Sequence, residues 1–213
     1  MRKNYLISLL ALSAMAVSAS SMAKENVTVS GSTTVLPVMQ KISEHLMQKD
    51  PSVVIELSGG GSGNGIKALN EQLTQIAMSS RKIKDKEMKA AEEKGVKPFE
   101  IPVAVDAIVP IVNPKNSLKN LSLDDLRKIY KGEIKNWKEV GGPDAPIVLV
   151  SRDTSSGTFE TWESLVMKNQ RVSPRALLQS SNGTVVQTVS RNPNAIGYVG
   201  LGYVRSEEHT SEL

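Results

Sequence analysis

Cysteine is absent from the 213 residues, which excludes disulfides, thiolate metal sites and a cysteine nucleophile. Histidine is scarce: His45 and His209 are too few for a multi-histidine metal centre. Aromatic residues make up 4% and no dense Lys/Arg run occurs, so the chain lacks the usual nucleic-acid surface. No G-x-x-x-x-G-K-[ST] loop and no G-x-S-x-G elbow is present, so the chain has neither a Walker phosphate loop nor the nucleophile elbow of the α/β-hydrolases. What remains is an ordinary balance of 39% hydrophobic and 23% charged residues, with a net charge of +4 spread along the chain. That balance fits a globular protein, and the length allows one domain or two small lobes.

The N-terminus has the three parts of an export signal. Arg2 and Lys3 are positive, Tyr5 to Val17 is an uncharged apolar run, and Ser21-Met22-Ala23 offers small residues for cleavage. The alternative is a membrane anchor, but the run is short for a span of about 20 residues. The expectation is a signal peptide over 1–23, a mature chain from Lys24, and a free periplasmic protein.

The remaining pattern alternates strands and helices. Val27–Val29, Val53–Leu57, Ile76–Met78, Ile147–Val150 and Ala195–Val199 read as strands. Val35–Lys49 places Val35, Val38, Met39, Ile42, Leu46 and Met47 on one helical face. Ile66–Leu73, Lys84–Lys94, Thr158–Val166 and Ser181–Val189 are further helices. Another starts at Ser122, which with Asp125 forms an acidic capping box. Ile101–Val112, apolar but broken by Pro102, Asp106 and Pro110, suits strands crossing between two lobes. The order predicts an α/β fold with parallel sheets.

Three Ser/Thr/Gly loops fall where a predicted strand feeds a helix. They are Ser30–Thr34, Gly59–Gly65 and Arg152–Thr158, with a smaller set at Ser79-Ser80-Arg81. Open α/β sheets place ligands at these carboxyl ends. Helix N-termini favour an anion, glycine lets backbone approach it, hydroxyls donate further bonds, and Arg152 can grip an oxyanion with two N–H groups. Each loop alone is equally well a tight turn with N-caps. Together they point to an oxygen-rich anion, phosphate or sulfate most simply.

Catalysis has little support. His45 lies on the first helix, a turn or more beyond Thr34, so Ser62 and Ser156 have no evident base. Asp124 and Asp125 read as helix N-terminal charge, and Trp137 and Trp162 as packing residues.

The set VSGSTTVLPV, LSGGGSGNGIKAL, SRDTSSGTF and NAIGYVGLGYV resembles the periplasmic phosphate-binding protein family of the bacterial phosphate-specific ABC transporter, over Val27 to about Val204. The resemblance implies a two-lobed periplasmic-binding-protein-like α/β fold. Each lobe would be a mostly parallel sheet flanked by helices, joined by crossing strands near Ala107 and Ile196. Lobe one would be 24–107 with 197–204 returning to it, and lobe two 108–196. It implies a monomeric receptor that closes on inorganic phosphate and delivers it to ABC permease subunits in the inner membrane, with no cofactor and no metal. The matching phosphate-binding residues are Ser32, Thr33, Thr34, Ser62, Arg152, Ser156, Gly157 and Thr158.

Ser80 also joins that set, but it stands where long family members carry an aspartate that accepts the proton of phosphate. Sulfate brings no such proton, so the acceptor selects between the two. Ser80 itself or a displaced carboxylate (Asp153, Glu160 or Asp106) is the candidate here, and Asp153 has the alternative of holding Arg152. Two other classes stay open: a receptor for another oxyanion (sulfate, molybdate, phosphonate), and an exported phosphatase-like or adhesive protein. The last residues, Arg205–Leu213 (RSEEHTSEL), are similar to the in-frame translation of a sequencing adapter. The expectation is a non-native tail over 205–213, no role for His209, and a lobe one lacking its C-terminal part. Such a lobe would expose apolar surface.

Overall fold

The computed structural model describes residues 25–204. The export signal expected at 1–23 and the tail expected at 205–213, with His209, lie outside these residues. Seven strands and six α-helices follow in the order β1 (Glu25–Gly31), α1 (Leu36–Lys49), β2 (Val53–Gly59), α2 (Ser62–Asn70), β3 (Ile76–Met78), α3 (Asp85–Glu93), β4 (Ile108–Val112), α4 (Leu123–Lys131), β5 (Val148–Arg152), α5 (Gly157–Leu165), β6 (Leu177–Gln179), α6 (Asn182–Arg191) and β7 (Ala195–Gly200). A single 3-10 turn, Trp137–Val140, lies between α4 and β5.

The strands form two sheets. The first has the order β2-β1-β3 and is parallel throughout. The second has the order β4-β7-β5-β6; β7, β5 and β6 are parallel, and β4 runs antiparallel to β7. Helical crossovers return the chain to the same sheet end, which makes neighbours parallel. β4 enters the second sheet directly from the other unit, and an antiparallel edge on a parallel sheet is a common result. Leu201 N–H donates to Ala107 O at 2.9 Å, so the two crossing segments meet there. Ile196 lies deeper in the second sheet, between Val112 and Leu149.

The second sheet carries the larger core. Leu126, Ile129 and Tyr130 of α4 pack with Trp137, Leu149, Trp162, Met167, Ile196 and Tyr198. Trp162 stacks on Tyr198 at 4.3 Å and meets Tyr130 edge-on at 5.0 Å. Both tryptophans are buried, in keeping with the packing role expected of them. Tyr130 Oη donates to Val150 O at 3.1 Å, and burial pushes its phenol well above the ordinary value. α4 is fixed by the expected box: Ser122 Oγ accepts from Asp125 N–H, and the Asp125 carboxylate accepts from Ser122 N–H.

Two expectations change. The Gly59–Gly65 loop is shorter than read, because Ser62 to Gly65 already form the first turn of α2. Gly65 permits this: a Cβ there would sit 2.5 Å from Gly31 Cα, so only glycine lets the helix press on β1. Residues 101–107 form no strand, and only Ile108–Val112 of that apolar run pairs. The apolar stripe of α1 is half exposed at Val38, Ile42 and Leu46, and Phe99, Ile101, Val103 and Val105 are exposed too.

Candidate functional site

Four helices start at the junction of the two sheets. α1 follows β1, α2 follows β2, α5 follows β5 and α6 follows β6. Their N-terminal turns face one another, and hydrogen bonds join them across the sheets. Thr34 Oγ1 and Thr158 Oγ1 share a bond of 2.8 Å. Asn182 Nδ2 donates to Thr34 Oγ1 at 2.9 Å and to Thr33 Oγ1 at 3.2 Å. Gly63 N–H donates to Ser155 O at 2.9 Å, and Ser155 Oγ donates to Gly60 O at 3.2 Å. The donor loops are therefore closed upon one another.

Within each loop the hydroxyl oxygens cap backbone. Ser32 Oγ accepts from Thr34 N–H at 3.2 Å in the turn that opens α1. Ser156 Oγ is the N-cap of α5 and accepts from Phe159 N–H at 3.2 Å. Ser62 Oγ accepts from Ser80 N–H at 3.1 Å and shares a bond of 3.2 Å with Ser80 Oγ. A hydroxyl that accepts in this way keeps its hydrogen for another acceptor. Gly157 closes the gap between the sheets: a Cβ on it would lie 2.5 Å from Ser62 Oγ and 2.7 Å from Ser80 Oγ.

Arg152, at the end of β5, is 1% exposed. Its Nε donates to Gln179 O and its Nη2 to Ser180 O, both at 3.0 Å. These bonds fix the plane of the guanidinium, while Nη1 is buried with no hydrogen-bond partner among the described residues. Burial pulls the guanidinium below its ordinary value, partly offset by the Asp153 charge. A desolvated cation with an unmatched N–H attracts an anionic acceptor strongly. A cleft of about 670 Å³ adjoins it, lined by Gly63, Arg81, Arg152, Thr154 and Glu160 among others.

All nine residues singled out in the sequence fall in this region: Ser32, Thr33, Thr34, Ser62, Ser80, Arg152, Ser156, Gly157 and Thr158. Hydrogen bonds or the Gly157 contact tie together Ser62, Ser80 and Gly157 on one side, and Thr33, Thr34 and Thr158 on the other. The three candidate carboxylates differ. Glu160 is paired with Arg81 at 2.8 Å and Lys84 at 2.6 Å. Asp153 Oδ1 accepts from Ser155 N–H at 2.8 Å and from Ser155 Oγ, so it shapes the loop through Ser155 and makes no hydrogen bond to Arg152. Asp106 is exposed, and its Oδ2 lies 2.6 Å from where a Cβ on Gly200 would sit, a point only 2.7 Å from Thr34 Cγ2.

Asn182 was not anticipated. Ser181-Asn182-Gly183-Thr184, the N-cap and first turn of α6, is a further polar strand-to-helix junction, and its signal was hidden because β6 is three residues long. Ser181 caps α6 by accepting from Thr184 N–H, which leaves Asn182 buried between Thr33 and Thr34. Among the described residues no cluster of His, Asp and Glu could hold a metal ion.

Known proteins resemble this chain in sequence and in fold. The profile of the PBP superfamily domain matches residues 16–212. The phosphate-binding protein PstS of Borreliella burgdorferi is 34% identical over 187 residues, covering 84% of this chain and 65% of that protein. PstS of Bacillus subtilis is 33% identical over 189 residues, covering 89% of this chain and 61% of that protein. The chain thus spans less than two thirds of the length of these curated relatives. A putative phosphate ABC transporter substrate-binding protein with bound phosphate, from Clostridium perfringens, superposes with a TM-score of 0.77 at 39% identity, covering 84% of this chain and 72% of that one. An ABC-type phosphate transport receptor from Vibrio cholerae superposes with a TM-score of 0.60 at 34% identity, covering 83% and 71%. With the match running over nearly the whole sequence and the two-sheet α/β architecture in common, the chain belongs to the PBP superfamily domain family.

Proposed function

We propose that the protein is a periplasmic receptor that captures inorganic phosphate between two lobes and delivers it to an ABC permease in the inner membrane. The observation that carries this reading is the buried Arg152 guanidinium, with Nη1 unmatched, among four helix N-termini. Such a set suits a tetrahedral anion with many acceptor oxygens. The names of the relatives, phosphate-binding proteins and phosphate transport receptors, favour phosphate.

Sheet one and its helices form lobe one and sheet two with its helices lobe two. The return to lobe one starts after Gly200, since β7 stays paired with β4 to that residue. The phosphate-binding groups are Ser32, Thr33, Thr34, Ser62 and Ser80 from lobe one, with Arg152, Ser156, Gly157 and Thr158 from lobe two. Because these groups bond one another in the closed form, phosphate enters only when the lobes part, and it replaces the Thr34–Thr158 contact as they close. The role is binding without turnover, and a cleaved signal peptide over 1–23 exports the chain.

Asp106 accepts the phosphate proton. Glu160 is already paired with two cations, Asp153 is taken up by Ser155, and the Asp106 carboxylate remains beside Thr34. A competing sulfate, which brings no proton, would leave that carboxylate facing a second negative charge. Calorimetric titration of the chain with phosphate, repeated in excess sulfate, tests the reading. Phosphate binding that sulfate does not displace supports it; equal competition by sulfate removes the acceptor and leaves a general oxyanion receptor.

A further inference from the structure

We infer that Arg81 and Glu160 form a latch between the two units and are positioning residues for the anion site. The inference rests on the reading above only for the identity of the anion.

Arg81 follows Ser80 on the first-sheet side, and Glu160 lies in the first turn of α5, two residues after Thr158. The latch therefore grips each half of the donor set immediately beside its donors. Arg81 Nη1 and Nη2 donate to the two Glu87 oxygens at 2.8 Å each, which anchors the guanidinium to α3. Its Nε lies 2.8 Å from Glu160 Oε2 as an ion pair, off the line of a hydrogen bond. Lys84 Nζ reaches the same Glu160 oxygen at 2.6 Å. Arg81 Nη2 also sits 3.7 Å from where a Cβ on Gly63 would be, over the first turn of α2. One cation thus bridges α3 and α5 beside the first turn of α2.

An isolated exposed ion pair contributes little. This cluster differs because it is a network with a bidentate arm, and the Arg81, Glu87 and Glu160 side chains are only 10%, 18% and 19% exposed. Arg81 is held by Glu87 on its own side, so its charge is already in place when α5 arrives. Closing the units then costs little side-chain entropy.

The latch and a simple charge effect differ in sign. Glu160 is a negative charge in the turn that presents Ser156, Gly157 and Thr158. Were it only a charge, removing it would tighten anion binding. As a latch, its removal lets the units part, so bound anion escapes faster.

The cysteine-free chain allows a direct test. Lys89 on α3 and Ser164 on α5 are exposed and accept spin labels after Lys89→Cys and Ser164→Cys. Double electron–electron resonance then reads the distance between the units in the ligand-free chain. Glu160→Gln is expected to lengthen and broaden that distance, and Glu160→Asp to restore most of it. In stopped-flow measurements with inorganic phosphate, Glu160→Gln is expected to raise the dissociation rate about tenfold, with the ligand-free melting temperature lowered by no more than about a few degrees. Raised salt should shrink the difference from wild type. An unchanged distance in both Glu160→Gln and Arg81→Gln overturns the latch, whether or not the chain binds phosphate. Tighter phosphate binding by Glu160→Gln also overturns it. A wild-type chain that binds no phosphate refutes the proposed function, and the distance measurement then decides the latch alone.

Discussion

Gly157→Ala separates binding from folding. The added methyl would stand 2.5 Å from Ser62 Oγ, 2.7 Å from Ser80 Oγ and 3.1 Å from Ser62 Cβ. Ordinary contact needs the sheets to part by roughly an ångström, or Ser62 to turn away. Turning Ser62 breaks its bonds to Ser80 N–H and Ser80 Oγ. Either route costs about 1–3 kcal/mol in the closed form, comparable to overpacking a core or losing two hydrogen bonds. Alanine is the better helix former by up to about 1 kcal/mol, so α5 itself does not suffer. The ligand-free protein escapes the contact by opening, and its loss of stability is capped by the free energy of opening. The anion-bound protein has no such escape. Titration calorimetry should show phosphate binding weakened by about five- to a hundredfold, while calorimetric melting without ligand moves by only a few degrees. Wild-type affinity in Gly157→Ala would refute the reasoning, because the sheets would then not meet at this residue in the bound form.

Further outcomes follow from the same geometry. Arg152→Met should weaken phosphate binding by about a hundredfold or more, since it removes a charge-assisted donor worth roughly 3 kcal/mol; unchanged titration would remove Arg152 from the site. Asn182→Ala deletes the Nδ2 bonds to Thr33 and Thr34, and should cost about 1–2 kcal/mol in denaturant unfolding and weaken phosphate binding. Burial raises the Glu87 carboxyl, but its bonds to Arg81 and to Lys84 N–H outweigh this and hold it below its ordinary 4.5. Its stabilising contribution is thus complete above pH 4.5 and lost as pH falls below that value. Denaturant unfolding from pH 6 down to pH 3 should show that loss, and Glu87→Gln should remove this part of it.

Much of the architecture was readable in local sequence. Each Ser/Thr/Gly loop stands at a strand end because the residues that let backbone approach a ligand also punctuate secondary structure. Ser122 with Asp125 marked the start of α4 by side-chain capping alone. The start of α2 was hidden because glycines at 63 and 65 look like a loop, and their packing reason lies across the fold at Gly31 and Ser155. Asn182 escaped because Leu177–Gln179 is too short for a period-two pattern. The periodic apolar residues of α1 include Val38, Ile42 and Leu46, which remain half exposed, since periodicity shows which residues align and not what covers them. The Thr34–Thr158 and Arg81–Glu160 contacts join residues about 80 to 120 positions apart, and such polar pairs leave no periodic trace.

The central claim is that these converging N-termini and the buried Arg152 hold one phosphate. Titration calorimetry of the folded chain with inorganic phosphate tests it most directly. The account predicts saturable binding of one phosphate per chain, with an affinity on the order of micromolar or tighter, undiminished by excess sulfate. No heat of binding from a chain shown to be folded would contradict it.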